Sequence, residues 1–214
     1  MNLLNQLMKS ICSTNILALD TSINSMGYCW LKCHGEDIEI NSMGLAESEK
    51  ESEEDRIIEM LNWLNDILKY RDISNLIVVL EKPPATMYNE QSSKNQVIAR
   101  ATSLFKLFML YGALYQFLFD RGIKTISILP IEWQRKVKRR GLDIKMLSIG
   151  LANQRLAKDN EKSNRLGGHS IWTGMMPNNH NVADAVNIAF NVWQYRDKLL
   201  RNIFPELVSE ASDD

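Results

Sequence analysis

Cysteine is scarce, with three residues in 214: Cys12, Cys29 and Cys33. Cys29 and Cys33 form a Cys-x-x-x-Cys pair, but no second pair completes a zinc site, and so odd and unpatterned a set is no disulfide framework. Reduced structural thiols in a cytoplasm are the expectation. Charge of one sign is also missing: 25 Lys and Arg stand against 26 Asp and Glu, so a polyanion partner has to be met by a local basic face. Met1 to Ile11 lacks the apolar run and the small-residue cleavage site of a secretion signal. No internal repeat is visible. The most apolar stretch, Val97 to Phe119, is interrupted by Arg100, Lys106 and Gln116, and cations at mid-bilayer are costly. It reads as a helix buried in a core or a dimer interface, with no membrane partner.

What is present is the balance of a soluble globular protein, 45% hydrophobic and 24% charged, which excludes a disordered or collagen-like chain. The length suits one substantial core. One domain is expected over 15–200, between an N-terminal extension at 1–14 and a polar, frayed tail at 201–214.

Asn15 to Leu19 is a short apolar run of strand length that ends on Asp20, followed by the turn-rich Thr21 to Ser25. Tyr28 to Leu31 and Ile38 to Met43 read as second and third strands of an antiparallel meander. Glu47 to Asp55 is dense in acids and precedes Ile57, Ile58, Leu61, Leu64 and Leu68 at helical spacing, where acids suit the helix macrodipole. Leu76 to Leu80 is a continuous apolar run, the mark of a strand buried on both faces, and Glu81-Lys82-Pro83-Pro84 stops it. Val97 to Phe119 forms a long helix ended by Gly122, and Thr125 to Leu129 a further strand closed by Pro130. Lys145 to Ala157 reads as helical, Lys158 to Asn179 as an irregular loop, and Val182 to Trp193 as a closing helix that carries Asp184 near its start.

Taken singly, Asp20, Glu81 and Asp184 are ordinary turn or cap residues. Together they make a different case, because adjacent central strands bring Asp20 and Glu81 side by side and a helix across the strand ends presents Asp184 to both. Three gathered carboxylates repel one another and call for hard divalent cations such as magnesium or manganese. Paired ions of that kind activate water and stabilise the leaving oxygen in phosphodiester hydrolysis.

The order and spacing of these segments resemble the RuvC-type Holliday-junction resolvases. Ile16 to Ser22 with Gly27-Tyr28 is similar to their first strand and hairpin, and Val78 to Glu81 to their acid-bearing fourth strand. Ile128-Leu129-Pro130 with Trp133 is similar to their fifth strand and the segment after it, and His180 to Ala185 to their closing helix. The likeness spans Asn15 to Trp193 and looks nearest to shorter phage or Gram-positive bacterial members. It implies an α/β, RNase H-like fold with a central mixed five-stranded sheet, three antiparallel then two parallel strands, flanked by helices. It further implies a magnesium-dependent homodimer, with manganese able to substitute and no nucleotide cofactor. Such a dimer makes paired nicks in four-way and related branched DNA, leaving 5′-phosphate and 3′-hydroxyl ends. Asp20, Glu81 and Asp184 carry over as metal ligands. Asn181 stands three before Asp184, where the family usually has Asp or His, and it holds a metal more weakly. Three explanations remain open: His180 takes the role, Asn181 suffices, or an Asp has been replaced. His180 is otherwise a cap or surface residue, as is His169.

Arg135, Lys136, Lys138, Arg139 and Arg140 with Lys145 form a single-signed cluster suited to phosphates, against the ordinary reading of a solvated face. Trp133 reads as packing beneath it. Met87, Tyr88 and Asn89 either wedge the junction or pack on their own protein. The surplus of apolar faces on Val97 to Phe119 suits a dimer interface. Three rivals stand beside this reading. One is a hybrid or terminase-type nuclease of the same fold, and another a catalytically weak junction-binding protein. The third, an actin-like or sugar-kinase ATPase, needs a second half that 214 residues leave little room for.

Overall fold

The computed structural model describes residues 14–34, 37–84, 94–134, 143–165 and 177–195. Five strands form one sheet: β1 (Asn15–Asp20), β2 (Ser25–His34), β3 (Asp37–Glu47), β4 (Leu76–Glu81) and β5 (Lys124–Ile128). The helices are α1 (Glu53–Lys69), α2 (Lys94–Phe119), α3 (Pro130–Gln134), α4 (Ile144–Arg165) and α5 (His180–Gln194). Strand order is β3-β2-β1-β4-β5, antiparallel from β3 to β1 and parallel from β1 through β4 to β5. This is the mixed sheet of an RNase H-like fold.

Alternation along the central strands sorts the core into two layers. Ile16, Ala18 and Val79 face α5 and α4, where they meet Ala152, Leu156, Val186 and Phe190. Leu17, Leu19, Val78 and Leu80 face the other way, onto α1 and α2 through Met60, Leu64, Leu110 and Leu114. With both faces covered, β1 is apolar from Ile16 and β4 from Leu76 up to the acids that close them.

Local chemistry sets the helix starts. Ser52 caps α1 by accepting the Asp55 amide at 3.1 Å, and Glu53, Glu54 and Asp55 occupy the first turn. Asn179 caps α5 by accepting the Asn181 amide at 2.8 Å.

Several boundaries differ from those read in the sequence. β2 and β3 are longer than expected, since the hairpin keeps pairing through its polar residues from Ser25↔Glu47 onward. Helix α4 runs to Arg165, into the stretch expected to be a loop from Lys158, because no glycine or proline interrupts it before Gly167. The N-terminal extension, apart from residue 14, and the tail lie outside the described residues, as do Tyr88, His169 and residues 135–142.

Candidate active site

Asp20 and Glu81 are the last residues of β1 and β4, which run parallel in register, Leu19 beside Leu80. Asp20 falls on the face of Ile16 and Ala18, and Glu81 on that of Val79, so both carboxylates emerge toward α5. The strand ends are tied together: Thr21 Oγ1 donates to the Glu81 carbonyl at 2.8 Å, and the Lys82 amide to the Ile128 carbonyl at 2.8 Å.

Helix α5 comes unusually close. Gly27 pairs with Asp20 across the β1–β2 hairpin, and a Cβ placed on it would stand 2.1 Å from the Asn181 carbonyl oxygen. Only glycine admits the first turn of α5 there, and that close approach brings Asp184, one turn further along, to the strand ends.

The three carboxyls feel one another. Asp20, 7% exposed, is held well above the usual carboxylate range, by burial first, then by the charge and hydrogen bond of Glu81 and the charge of Asp184. Glu81 is raised by burial, against the opposing hydrogen bonds of Asp20 and Trp133. Asp184 is pushed up to about 7, chiefly by burial, with the Glu81 charge adding to it and the Ser148 hydrogen bond and Lys145 charge opposing. Burial and mutual repulsion thus push Asp20 and Glu81 toward the protonated form where no cation offsets them.

Two of the acids are also steered by neighbours. Trp133 Nε1 donates to Glu81 Oε1 at 2.8 Å from within the core, so this residue packs as expected and orients an acid as well. The Ser148 hydroxyl donates to Asp184 Oδ1. Sequence reading missed both roles; the one available signal was that a buried tryptophan N–H needs a partner.

The remaining predicted residues separate. Asn181 is 6% exposed, and its side-chain amide donates to the Ser25 carbonyl at 2.5 Å and the Ser25 hydroxyl at 2.7 Å. Its nitrogen therefore locks α5 to the start of β2. His180 is half-buried and pulled down, by burial first, then by the Lys145 charge, with Asp143 opposing; the three acids are not among the groups that act on it. Lys145 is exposed in the first turn of α4, near enough for its charge to reach Asp184. Arg135, Lys136, Lys138, Arg139, Arg140 and Tyr88 lie outside the described residues.

The donor set fits a hard divalent cation in kind: three carboxylates, buried or half-buried, on one face, each with raised proton affinity. Among the described residues none of the three acids has an ion-pair partner; Lys106 pairs with Glu53, remote in sequence from all three. Nor does any group of three His, Cys, Asp and Glu among those residues form a finished metal cage. One oxygen each of Glu81 and Asp184 is engaged by Trp133 and Ser148 instead.

Two solved structures of RuvC from Thermus thermophilus, one in complex with a Holliday junction substrate, share this fold. Their TM-scores are 0.54 for the complex and 0.55 for the other, at 13% and 15% identity, and each match covers 86% of this chain and 96% of that one. No protein-family model and no curated protein sequence matches the chain.

Proposed function

We propose that this chain is a structure-selective endonuclease that resolves Holliday junctions and related branched DNA by divalent-metal-dependent phosphodiester hydrolysis. The observation that carries the reading is the convergence of Asp20, Glu81 and Asp184 from β1, β4 and α5 at one end of a RuvC-like sheet. Asp20, Glu81 and Asp184 would hold Mg2+, or Mn2+ in its place. When bound, such a cation would supply an acidified water and offset charge on the phosphodiester oxygens. The protein's own part is to gather the carboxylates and aim them. Trp133 fixes Glu81, Thr21 ties the two strand ends, and Lys145 adds positive charge beside Asp184 where a phosphate would approach. The cluster from Arg135 to Arg140 would grip the backbone of the branched substrate.

A homodimer in the cytoplasm, of the kind found in phages or Gram-positive bacteria, completes the reading. Its support is a stripe on α2 with exposed Ile98, Phe105, Phe108, Tyr115 and Phe119. Ile98, Phe105 and Phe119 fall on a seven-residue repeat, as do Phe108 and Tyr115, which is the spacing of a helix seam.

One observation favours a second reading, a junction-binding protein that cuts weakly. Asn181 holds Ser25 through its amide nitrogen, so it offers only a neutral oxygen where the resemblance implies an Asp or His. Nicking of a synthetic four-way junction, compared with linear duplex and an RNA–DNA hybrid in Mg2+ or Mn2+, decides between them. Junction-selective cutting abolished by Asp20→Asn supports the nuclease, whereas cutting of the hybrid alone points to another RNase H-like nuclease. Binding without cutting, in both the natural chain and Asn181→Asp, leaves the binding protein.

A further inference from the structure

Behind Asp184 lies a chain of hydrogen bonds whose direction is fixed at its far end. Arg155, on α4, donates from Nη1 to the Asn187 carbonyl and to Asn187 Oδ1, both at 3.0 Å. Burial lowers its pKa to about 10, so the guanidinium stays charged at neutral pH and has only donors to offer. The end of the Asn187 amide that faces it is therefore the oxygen. That leaves Nδ2 to point at Ser148, where it donates to the backbone carbonyl at 3.0 Å and to Oγ at 2.9 Å. The Ser148 hydroxyl, already accepting from Asn187, sends its single proton onward to Asp184 Oδ1. Ser148 and Asn187 are each 1% exposed, so water does not compete for these bonds. Among the described residues Asp184 makes no other side-chain hydrogen bond, and Oδ2 is left without one.

We propose that Ser148 and Asn187, backed by Arg155, are positioning residues that hold one oxygen of Asp184 and leave the other for a divalent cation. The inference rests on Asp184 being a metal ligand, as in the proposed function, but not on what the metal then does. Metal-binding carboxylates are commonly aimed by hydrogen bonds of this kind, and loss of such a bond costs roughly tenfold to a hundredfold in metal affinity. Direction gives the idea its sharpest consequence. Asn187→Asp keeps the shape of the side chain and an acceptor for Arg155, yet it replaces the donor that faces Ser148. The hydroxyl then turns toward residue 187, and Asp184 loses its bond while α4 and α5 stay joined.

The test is calorimetric titration of Mn2+ into the full chain freed of metal, with urea unfolding of the same samples in chelator. Ser148→Ala and Asn187→Asp should each weaken Mn2+ binding by about tenfold. Ser148→Thr, which keeps the hydroxyl, should stay within about twofold of the natural chain by the same reasoning. Asn191→Ala, a buried asparagine on α5 outside the relay, should lower the urea midpoint and leave Mn2+ affinity unchanged. Natural affinity in both Ser148→Ala and Asn187→Asp overturns the proposal. So do affinity losses that merely track the urea midpoint through Asn191→Ala. Junction nicking on the same proteins keeps the two ideas apart. If the relay variants lose Mn2+ affinity but the natural chain cuts nothing, the nuclease reading falls and the positioning role stands. If Asp20→Asn binds Mn2+ as well as the natural chain, the acids are not its ligands and both fall.

Discussion

Helices α2 and α5 are both rich in apolar residues, and the fold treats them in opposite ways. In α5, eleven of fifteen residues are buried, including Asn181, Asn187 and Asn191, and the helix lies across β1 and β2. In α2, Leu110, Leu114 and Leu118 face the core, while Phe105 and Phe119 are 65% and 68% exposed. Its stretch Gln96–Phe119 is long and apolar enough to cross a membrane, and 11% of its most apolar window is buried in the monomer. Lys106 within that stretch pairs with Glu53 at the start of α1. Apolar content alone therefore does not say what a helix packs against. The helix that buries its asparagines along with its apolar residues is bound to the site, and the helix with an apolar stripe in solvent is short of a neighbour.

The largest effect expected from breaking this contrast is on the α5 side. Asp184→Asn removes one charge from the proposed ligand set while keeping an oxygen for Ser148 to donate to. Junction nicking should fall on the order of a hundredfold to a thousandfold, the equivalent of several kcal/mol of lost charge stabilisation. Single-turnover cleavage at saturating Mg2+ is the measurement, and cutting within a few-fold of the natural rate would remove Asp184 from the site.

The seat of α5 comes next. Gly27→Ala puts a methyl group into the Asn181 backbone, where neither partner has a flexible end to yield. A loss of about 3 kcal/mol in urea unfolding is expected, the upper part of the ordinary range for overpacking. Gly44, whose added Cβ would meet the Tyr28 ring edge at 2.8 Å, should cost less as alanine because a side chain can move aside.

A smaller, pH-dependent effect separates site from scaffold. Folding raises Asp184 to about 7 from an ordinary carboxylate value, so the native state favours the protonated form. The stability this group contributes is fully present below the unfolded carboxylate value and is lost as pH rises through about 7. Without metal, the protein should therefore be less stable at pH 8 than at pH 5, by on the order of 2 kcal/mol for Asp184 alone. Chemical denaturation in chelator at the two pH values tests this. Asp184→Asn should flatten the difference in part, since Asp20 and Glu81 are raised in the same direction, and added Mn2+ should restore stability at pH 8.

How legible the site was depended on how far apart in sequence its partners lie. Asp20 and Glu81 were visible because each closes an apolar run whose length marks a buried strand, and Asp184 because α5 has a clear period. The parallel pairing of β1 with β4 is then consistent with their shared burial on both faces. Asn187 interrupts Val186 and Ile188 on a buried helix, which was a local sign that it needed a partner, but the partner, Ser148, is 39 residues away. Ser25 and Asn181 are 156 residues apart, and no periodicity links them. Nor does the spacing of Asn181 from Asp184 reveal that its amide nitrogen meets Ser25, since spacing says which turn a residue is on and not what its side chain meets. Helix α4 is longer than its pattern suggests for the opposite reason: polarity after Lys158 reads as a loop, although nothing there breaks a helix.

The smallest effect on the monomer should come from α2, and there it is the smallness that informs. Phe105→Glu exchanges an apolar side chain that is 65% exposed for a charged one. If the monomer is the whole unit, solubility should improve and stability change by no more than about 0.5 kcal/mol, as for an ordinary surface site. If the stripe is the seam of a homodimer, the same change should halve the mass in sedimentation equilibrium and leave the monomer's spectrum intact. Gly112, which lies on the seven-residue repeat of Phe105 and Phe119 and would place a Cβ in open space, gives the matching test. Gly112→Ala should stabilise an isolated helix by about 1 kcal/mol through propensity alone. It should weaken a dimer whose helices approach closely there. A gain in thermal stability that does not change with protein concentration would assign α2's exposed face to solvent, whereas a concentration-dependent loss would assign it to a second copy of the chain.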